Sequence, residues 1–381
     1  MPKLSEIFTL QMGKTPARAK NEYWNNGDND WVSISDLSTY DKYVGETKET
    51  ISDLAVMESG IKPAPADTVI MSFKLSLGKT AITVKPTYTN EAIMAFIPNG
   101  NYPVHASYFY HFFVGYDWSN GTNRAVMGAT LNKATLSEIE ITVPSIMEQI
   151  EIAKCLDKID ALISLRKQQL SKLDELVKSR FIEMFGDPKG NPKGYAQKQL
   201  KETCRVITGN TPSRAVDEYY GDAIEWIKTD NIVEGILYPT AATESLSEKG
   251  MAVGRTVGKD SILMACIAGS LSSIGRVCVT DRKVAFNQQI NAIEPVKYNT
   301  LFLYVMLQLS KEYLIEEINM ALKGILSKSK LEEKIFIVPP MDLQQQFASF
   351  VEQTDKSKLA IQHSLEKLET LKKALMQKYF G

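Results

Sequence analysis

The chain has 381 residues, 44% of them hydrophobic and 23% charged, and a net charge of −1. That is the composition of an ordinary soluble globular protein with two or three domains, each half long enough to bury its own core. No apolar run is long enough to span a bilayer, and the opening MPKLSEIFTLQMGK lacks a signal-peptide core, so a cytoplasmic protein without membrane contact is expected.

Residues 1–186 and 196–381 align with each other at an offset of about 195 residues. Pro144 faces Pro339, Gln149 faces Gln344, Asp160 faces Asp355, and Phe185-Gly186 faces Phe380-Gly381. In chain order, strands are expected at Thr68–Met71, Ala81–Val84 and Ile139–Val143. The second copy answers with Ser261–Met264, Arg276–Val279 and Lys334–Val338. A helix is expected from Tyr108 to Phe113, and a longer one from Tyr298 to Asn319. Each module therefore reads as α+β.

Pro144 and Pro339-Pro340 stop the last strand of each module and permit a helix start. The apolar period then becomes that of a coiled coil. Ile152, Leu156, Ile159, Ile163, Leu170, Leu173 and Val177 form one seam. Phe347, Val351, Ile361, Leu365, Leu368 and Leu375 form the other. Each seam runs for about five heptads. The alternative is a long amphipathic helix packed only on its own module. The linker DPKGNPKGYA, residues 187–196, reaches at most about 35 Å, whereas a helix of ~38 residues is about 57 Å long. A parallel pair would make the linker retrace the helix, so antiparallel pairing is expected. The resulting partition is a module over 1–143, a helix over 144–186, a linker over 187–195, a module over 196–338 and a helix over 339–381.

Both modules open with one motif. The first has Gly13-Lys-Thr-Pro16, Arg18, Tyr23-Trp24 and Trp31. The second has Gly209-Asn-Thr-Pro212, Arg214, Tyr219-Tyr220 and Trp226. Gly78-Lys79 later answers Gly275-Arg276, and Asn90 answers Asn287-Gln288. The glycines at 13 and 209 are expected to supply a turn that other residues resist. Trp31 and Trp226 read as core anchors. The loop aromatics Tyr23, Trp24, Tyr219 and Tyr220 suit either a core or a base-stacking role.

Signatures of catalysis are missing. Walker A needs a glycine five residues before Gly-Lys-Thr, where Phe8 and Phe73 stand. No amino-methyltransferase loop surrounds Pro339-Pro340. His105, His111 and His363 have no partners at metal-ligand spacing, and neither have Cys155, Cys204, Cys266 and Cys278, which read as reduced thiols. Glu332-Glu333-Lys334 has the E-x-K of a nuclease without its upstream Pro-Asp and reads as solvated charge.

The doubled order of G-x-T-P-x-R, W, closing strand, proline and heptad helix resembles the specificity subunits of type I restriction-modification systems over essentially the whole chain. The resemblance implies two target recognition domains joined by two long antiparallel coiled-coil helices. It implies a non-catalytic reader of an asymmetric bipartite site on double-stranded DNA. It also implies two methyltransferase subunits and endonuclease/translocase subunits as partners. S-adenosylmethionine, ATP and Mg would belong to those partners, and no cofactor to this chain. The assembled complex would methylate adenine and restrict unmodified DNA.

Segments that match between copies build scaffold, and segments that differ can read different half-sites. Arg18 and Arg214 suit phosphate, since phosphate contacts carry register and not sequence, or else a surface salt bridge. Lys14, Thr15, Asn210 and Thr211 lie in the same matched turns. Lys74, Lys79, Lys228, Ser270, Ser272, Ser273 and Arg276 lie in segments that differ, and are the base- or backbone-contact candidates. Two other readings are a stand-alone bipartite DNA-binding regulator and a coiled-coil scaffold. The missing helix-turn-helix signature and the near-neutral charge weigh against the first, and the two matched modules against the second.

Overall fold

In the computed structural model, the structure describes residues 1–74, 76–118, 123–125, 128–316, 318 and 324–381. The chain forms two compact units, one of residues 1–165 with 365–381 and one of residues 166–364. Each holds one module and a stretch of both long helices, Ile146–Phe185 and Met341–Phe380.

In the first unit, Phe8–Met12, Ile93–Pro98, Val69–Ser72 and Thr80–Ile82 form an antiparallel sheet in that spatial order. The run Val69-Ile70-Met71 is apolar throughout because both faces of this sheet are covered. Val69 and Met71 pack with Phe109 and Phe113 of the helix Ala106–Gly115, while Ile70 joins Val32, Leu37 and Ala81 on the other face. A second sheet centres on Trp24–Val32, with Glu49–Ile51 antiparallel to it and Tyr88–Thr89 parallel.

The second unit repeats this plan. Cys204–Thr208, Ile290–Pro295, Ile262–Ala265 and Val277–Val279 have the same order. Ile262 and Met264 face the helix Thr300–Leu309, while Leu263 and Ala265 face the opposite core. Its second sheet has four strands, Ser245–Leu246, Tyr220–Ile227, Val284–Phe286 and Thr256–Val257. The first unit has only an Ala64–Thr87 bridge at the place of the fourth strand. Pro63 and Pro65 flank Ala64 and have no N–H to give a ladder.

The long helices are antiparallel within each unit. In the first, Lys372 Nζ lies 2.6 Å from Asp160, and Ile152 shares a core with Phe380. In the second, Lys358 pairs with Asp174 while Phe181 packs edge-on against Phe347. Rising numbers on one helix thus meet falling numbers on the other. The first helix starts on a capping box: Ser145 N–H donates to Glu148 Oε2 (2.9 Å), and Glu148 N–H to Ser145 Oγ (3.3 Å). Buried Gln149 ties this start to the module by accepting from His105 N–H (2.8 Å) and donating to the carbonyls of Pro103 and Pro144. Gln344 does the same with Asn299 N–H (2.9 Å) and the Pro339 carbonyl.

Four expectations change, and one gains its cause. Ile139–Val143 is not a strand but one Lys3–Glu140 bridge, because the facing segment includes Pro2, which can only accept. Tyr298–Asn319 is two helices, Thr300–Leu309 and Lys311–Ile315, and residues 317 and 319 lie outside the described residues. Gly13 and Gly209 do stand where other residues are resisted, though neither has a positive φ. A Cβ on either would run into backbone carbonyls, of Thr89 and Asn90 or of Phe286 and Asn287, so close approach is what excludes side chains. Lys334 is not solvated: it is 6% exposed, lies 4.4 Å over the Tyr313 ring and is 3.6 Å from Glu316. The seam residues Phe347 and Val351 do more than pair helices, since both belong to the second module's core with Phe181, Phe185 and Phe302.

Candidate nucleic-acid interface

The doubled motif folds into the same construction twice. In the first module Gly13 N–H donates to Ile93 O (3.0 Å) and Lys14 N–H to Thr89 O (2.9 Å), laying the turn across the two sheets. Trp31 Nε1 donates to Lys14 O (3.0 Å) and Trp24 Nε1 to Ala17 O (3.3 Å), so both indoles are buried with their donors satisfied. Arg18 lies on this aromatic floor, 3.7 Å above Trp24 and 4.8 Å from Trp31. Glu49 grips its guanidinium with both oxygens, at 2.5 and 3.1 Å. Planar bidentate pairing with stacking is a geometry that lysine cannot reproduce.

In the second module Gly209 N–H donates to Ile290 O (3.0 Å), Trp226 Nε1 to Asn210 O (3.3 Å) and the Tyr220 hydroxyl to Pro212 O (2.7 Å). Arg214 lies 4.4 Å over Tyr220 and 5.1 Å from Trp226, and Glu244 takes its Nη2 at 2.6 Å. Asn210 donates from Nδ2 to Val253 O (3.0 Å) and accepts from Arg255 N–H (2.7 Å).

The electrostatics differ between copies. In the first, the Thr15 hydroxyl donates to Glu91. That bond, helped by the charges of Lys74 and Arg18, holds the Glu91 carboxyl below its ordinary value. In the second, Thr211 meets the neutral amide of Gln288 at the corresponding place. Glu244 serves two cations, Lys228 as well as Arg214, and they hold its carboxyl low, Lys228 most. The grouped charges therefore cancel in the first copy (Arg18, Lys74, Glu49, Glu91) and leave one positive in the second (Arg214, Lys228, Glu244).

Of the candidate contact residues, Thr15, Arg18 and Lys74 gather around Glu91, while Lys14 donates from Nζ to Ser59 O. Lys79 is exposed beyond Gly78, whose φ of +77° sets that turn. Ser270, Ser272 and Ser273 form a separate hydroxyl cluster with O–O distances of 3.0 Å, beside Arg276, whose Nε lies 3.6 Å from Glu234. Tyr23, Trp24, Trp31 and Trp226 are buried and cannot stack on bases, whereas Tyr219 and Tyr220 are half-buried. Sequence reading missed Glu49 and Glu244. They lie 31 and 30 residues beyond their arginines, and their only signal was a glutamate at nearly the same spacing in both copies. Among the described residues no group of three or more His, Cys, Asp and Glu could hold a metal ion. Among them too, no helix is long and apolar enough to cross a membrane.

A family model described as the type I restriction modification DNA specificity domain matches residues 1–175 and 192–373. The chain is 28% identical to the type I restriction enzyme MjaIX specificity subunit of Methanocaldococcus jannaschii, covering 99% of this chain and 91% of that one. It is 30% identical over 186 residues to the EcoR124I/EcoR124II specificity subunit of Escherichia coli, covering 47% and 45% of the two chains. Among solved structures, the type I restriction-modification S subunit from M. genitalium superposes with a TM-score of 0.63 at 14% identity, over 100% of this chain and 95% of that one. A chain from work on complex assembly and conformational transition of the type I R-M system gives 0.59 at 16% identity, over 99% and 96%.

Proposed function

Because the chain belongs to the family of type I restriction-modification DNA specificity subunits, we propose that it reads an asymmetric bipartite DNA site, one half-site per module. The observation that carries this reading is one frame built twice with unlike surfaces. Arg18 and Arg214 lie on equivalent aromatic floors, but Glu91 is answered by Gln288, and Ser72–Lys79 by the longer Ala265–Arg276. A carboxylate accepts from cytosine N4, whereas an amide pairs with adenine N6 and N7, so matched positions of unlike chemistry suit unlike bases.

The chain itself performs no catalysis in this reading. It recruits two methyltransferase subunits, which carry S-adenosylmethionine and methylate adenine, and endonuclease/translocase subunits, which carry ATP and Mg, all in the cytoplasm. The domains are residues 1–143 and 196–338, with the helices 144–186 and 339–381 between and after them and a linker at 187–195.

The test is exchange of residues 1–143 for the equivalent domain of a relative, expression with the cognate methyltransferase, and sequencing of the methylated motif. One half of the motif changes and the other stays. Changes in both halves, or in neither, overturn the reading.

A further inference from the structure

The second unit contains a cleft of about 340 Å³ walled by both long helices, by the helix Thr300–Leu309 and by the loop Glu234–Leu237. Val177, Leu237, Val305 and Val351 give it an apolar lining. Asp355 also lines it, half-buried and with no hydrogen bond or ion pair of its own among the described residues. Burial raises its carboxyl above the ordinary value. The cation that acts on it is Lys358, whose ammonium is already paired with Asp174. Lys178, also at the cleft, is exposed. Desolvating a carboxylate without a partner is costly, so an unmatched one in an apolar cleft needs explaining.

The first unit supplies the comparison. Asp160 is the counterpart of Asp355, and one of its oxygens is taken: Lys372 Nζ lies 2.6 Å from Oδ1, while buried His111, beyond hydrogen-bond reach, has Nδ1 3.9 Å from Oδ2. Lys372 corresponds to Val177 at the helix offset that pairs Asp160 with Asp355. His111 corresponds to Val305 at the offset that pairs the helices Ala106–Gly115 and Thr300–Leu309. The carboxylate's lysine partner and its histidine neighbour have thus both become valines, and both valines line the cleft. What fills the place in the first copy is a lysine side chain, an ammonium on an unbranched methylene stem.

We propose that the cleft of the second unit is a binding site for a primary alkylammonium group, with Asp355 taking the ammonium and Val177, Leu237, Val305 and Val351 packing its methylenes. The volume lies at the lower end of the range of small-ligand sites, about 300–1,000 Å³. The group has two possible sources, a free aliphatic diamine or the lysine side chain of a partner subunit.

The full-length chain, labelled at valine and leucine methyls, is titrated with n-butylammonium, 1,4-diaminobutane and an Nα-acetyl-lysine amide, with n-butanol as the uncharged control. The ammonium probes shift the methyls of Val177, Val305 and Val351, and n-butanol binds at least about tenfold more weakly. Asp355→Asn weakens n-butylammonium by a similar factor. Val177→Lys, which copies Lys372, occupies Asp355 from within and abolishes binding. Tighter binding of the diamine assigns the site to a free polyamine, and tighter binding of the lysine amide to a partner's side chain. Equal binding of butanol and butylammonium, unchanged affinity in Asp355→Asn, or shifts elsewhere overturn the proposal. The first two stand even if Val177→Lys fails to fold.

Discussion

The two halves of this chain keep the same antiparallel four-stranded sheet, the same glutamine tie at each helix start and the same arginine on an aromatic floor. They differ in what lies where the long helices meet the module. In the second unit Phe181, Phe185 and Phe347 enter the module core against Phe302, with ring centroids 4.8–6.4 Å apart. In the first, Ile152 and Phe380 take the places of Phe347 and Phe185 against Tyr108, and a polar network stands where the second unit has its apolar cleft: Asp157 takes Lys42 Nζ at 2.5 Å and His111 Nε2 at 2.7 Å, and Asp160 takes Lys372. Aromatic burial is insensitive to pH and costly to truncate, whereas a buried ion network is sensitive to pH and stabilises less per group. One duplicated frame has reached two solutions to the same packing problem.

Truncation tests the contrast most severely. Phe185 is fully buried, and its counterpart Phe380, against Tyr108 and Phe112, is half-buried. Phe185→Ala should destabilise the second unit by about 3–5 kcal/mol, and Phe380→Ala the first by well under that. Hydrogen exchange of the helices Thr300–Leu309 and Ala106–Gly115 reports the units separately, as a single unfolding temperature would not. Equal losses would mean that half-buried Phe380 anchors its helix as firmly as Phe185 does.

The next contrast lies in the matched acid and amide. Glu91→Gln should relax or change one half of the methylated motif, and Gln288→Glu the other, each by about 1–3 kcal/mol of discrimination. Sequencing of the methylated motif reads it out. No change in either variant would confine these residues to bracing Thr15 and Thr211.

The parts legible in the sequence were those written in periodicity and repetition: the heptad helices, their antiparallel sense, the apolar strands Val69–Ser72 and Ile262–Ala265, and the tryptophan anchors. Repetition also marked the arginines, but not what holds them, since Glu49 and Glu244 meet them only through strand pairing across some thirty residues. The network at Asp157 was hidden for the same reason. His111 and Lys42 show no spacing relation to it, and Val305 at the counterpart of His111 makes the network look unnecessary. The glycines at 13 and 209 were visible, but their cause is a neighbour's carbonyl and not their own φ.

Acid separates the two units more gently. Burial lowers His111 below its ordinary 6.5, even though Asp157 pulls the other way. The unfolded chain therefore takes the proton more readily, and the first unit loses stability as the pH falls below about 6.5. Asp157 adds a second loss below its ordinary 3.8, because Lys42 and His111 outweigh its burial. Asp355 has the opposite sign: burial raises it, so protonation favours the folded second unit. Exchange of the helix Ala106–Gly115 should quicken on mild acidification while that of Thr300–Leu309 does not, and His111→Val should remove the difference. Parallel responses in both helices would sink this assignment.

The smallest expected effect lies in the charge of the arginine sites. Taking one cation away from a phosphate should lower the slope of log affinity against log salt by about one. Arg18 is gripped by both oxygens of Glu49 in a group whose charges cancel, while Arg214 and Lys228 share the single carboxylate of Glu244. Removing either cation of the second module should therefore lower the slope by close to one, and Arg18→Ala by less. Arg18→Lys keeps the charge but loses the bidentate pair and the stacking over Trp24. If that variant binds DNA as Arg18→Ala does, Arg18 acts by bracing the Gly13–Pro16 turn. If it binds as the unmodified chain does, charge alone is what the site supplies. An equal fall of slope for Arg18→Ala and Arg214→Ala would show that Glu49 releases its arginine to the phosphate, and that the two copies meet the DNA backbone alike.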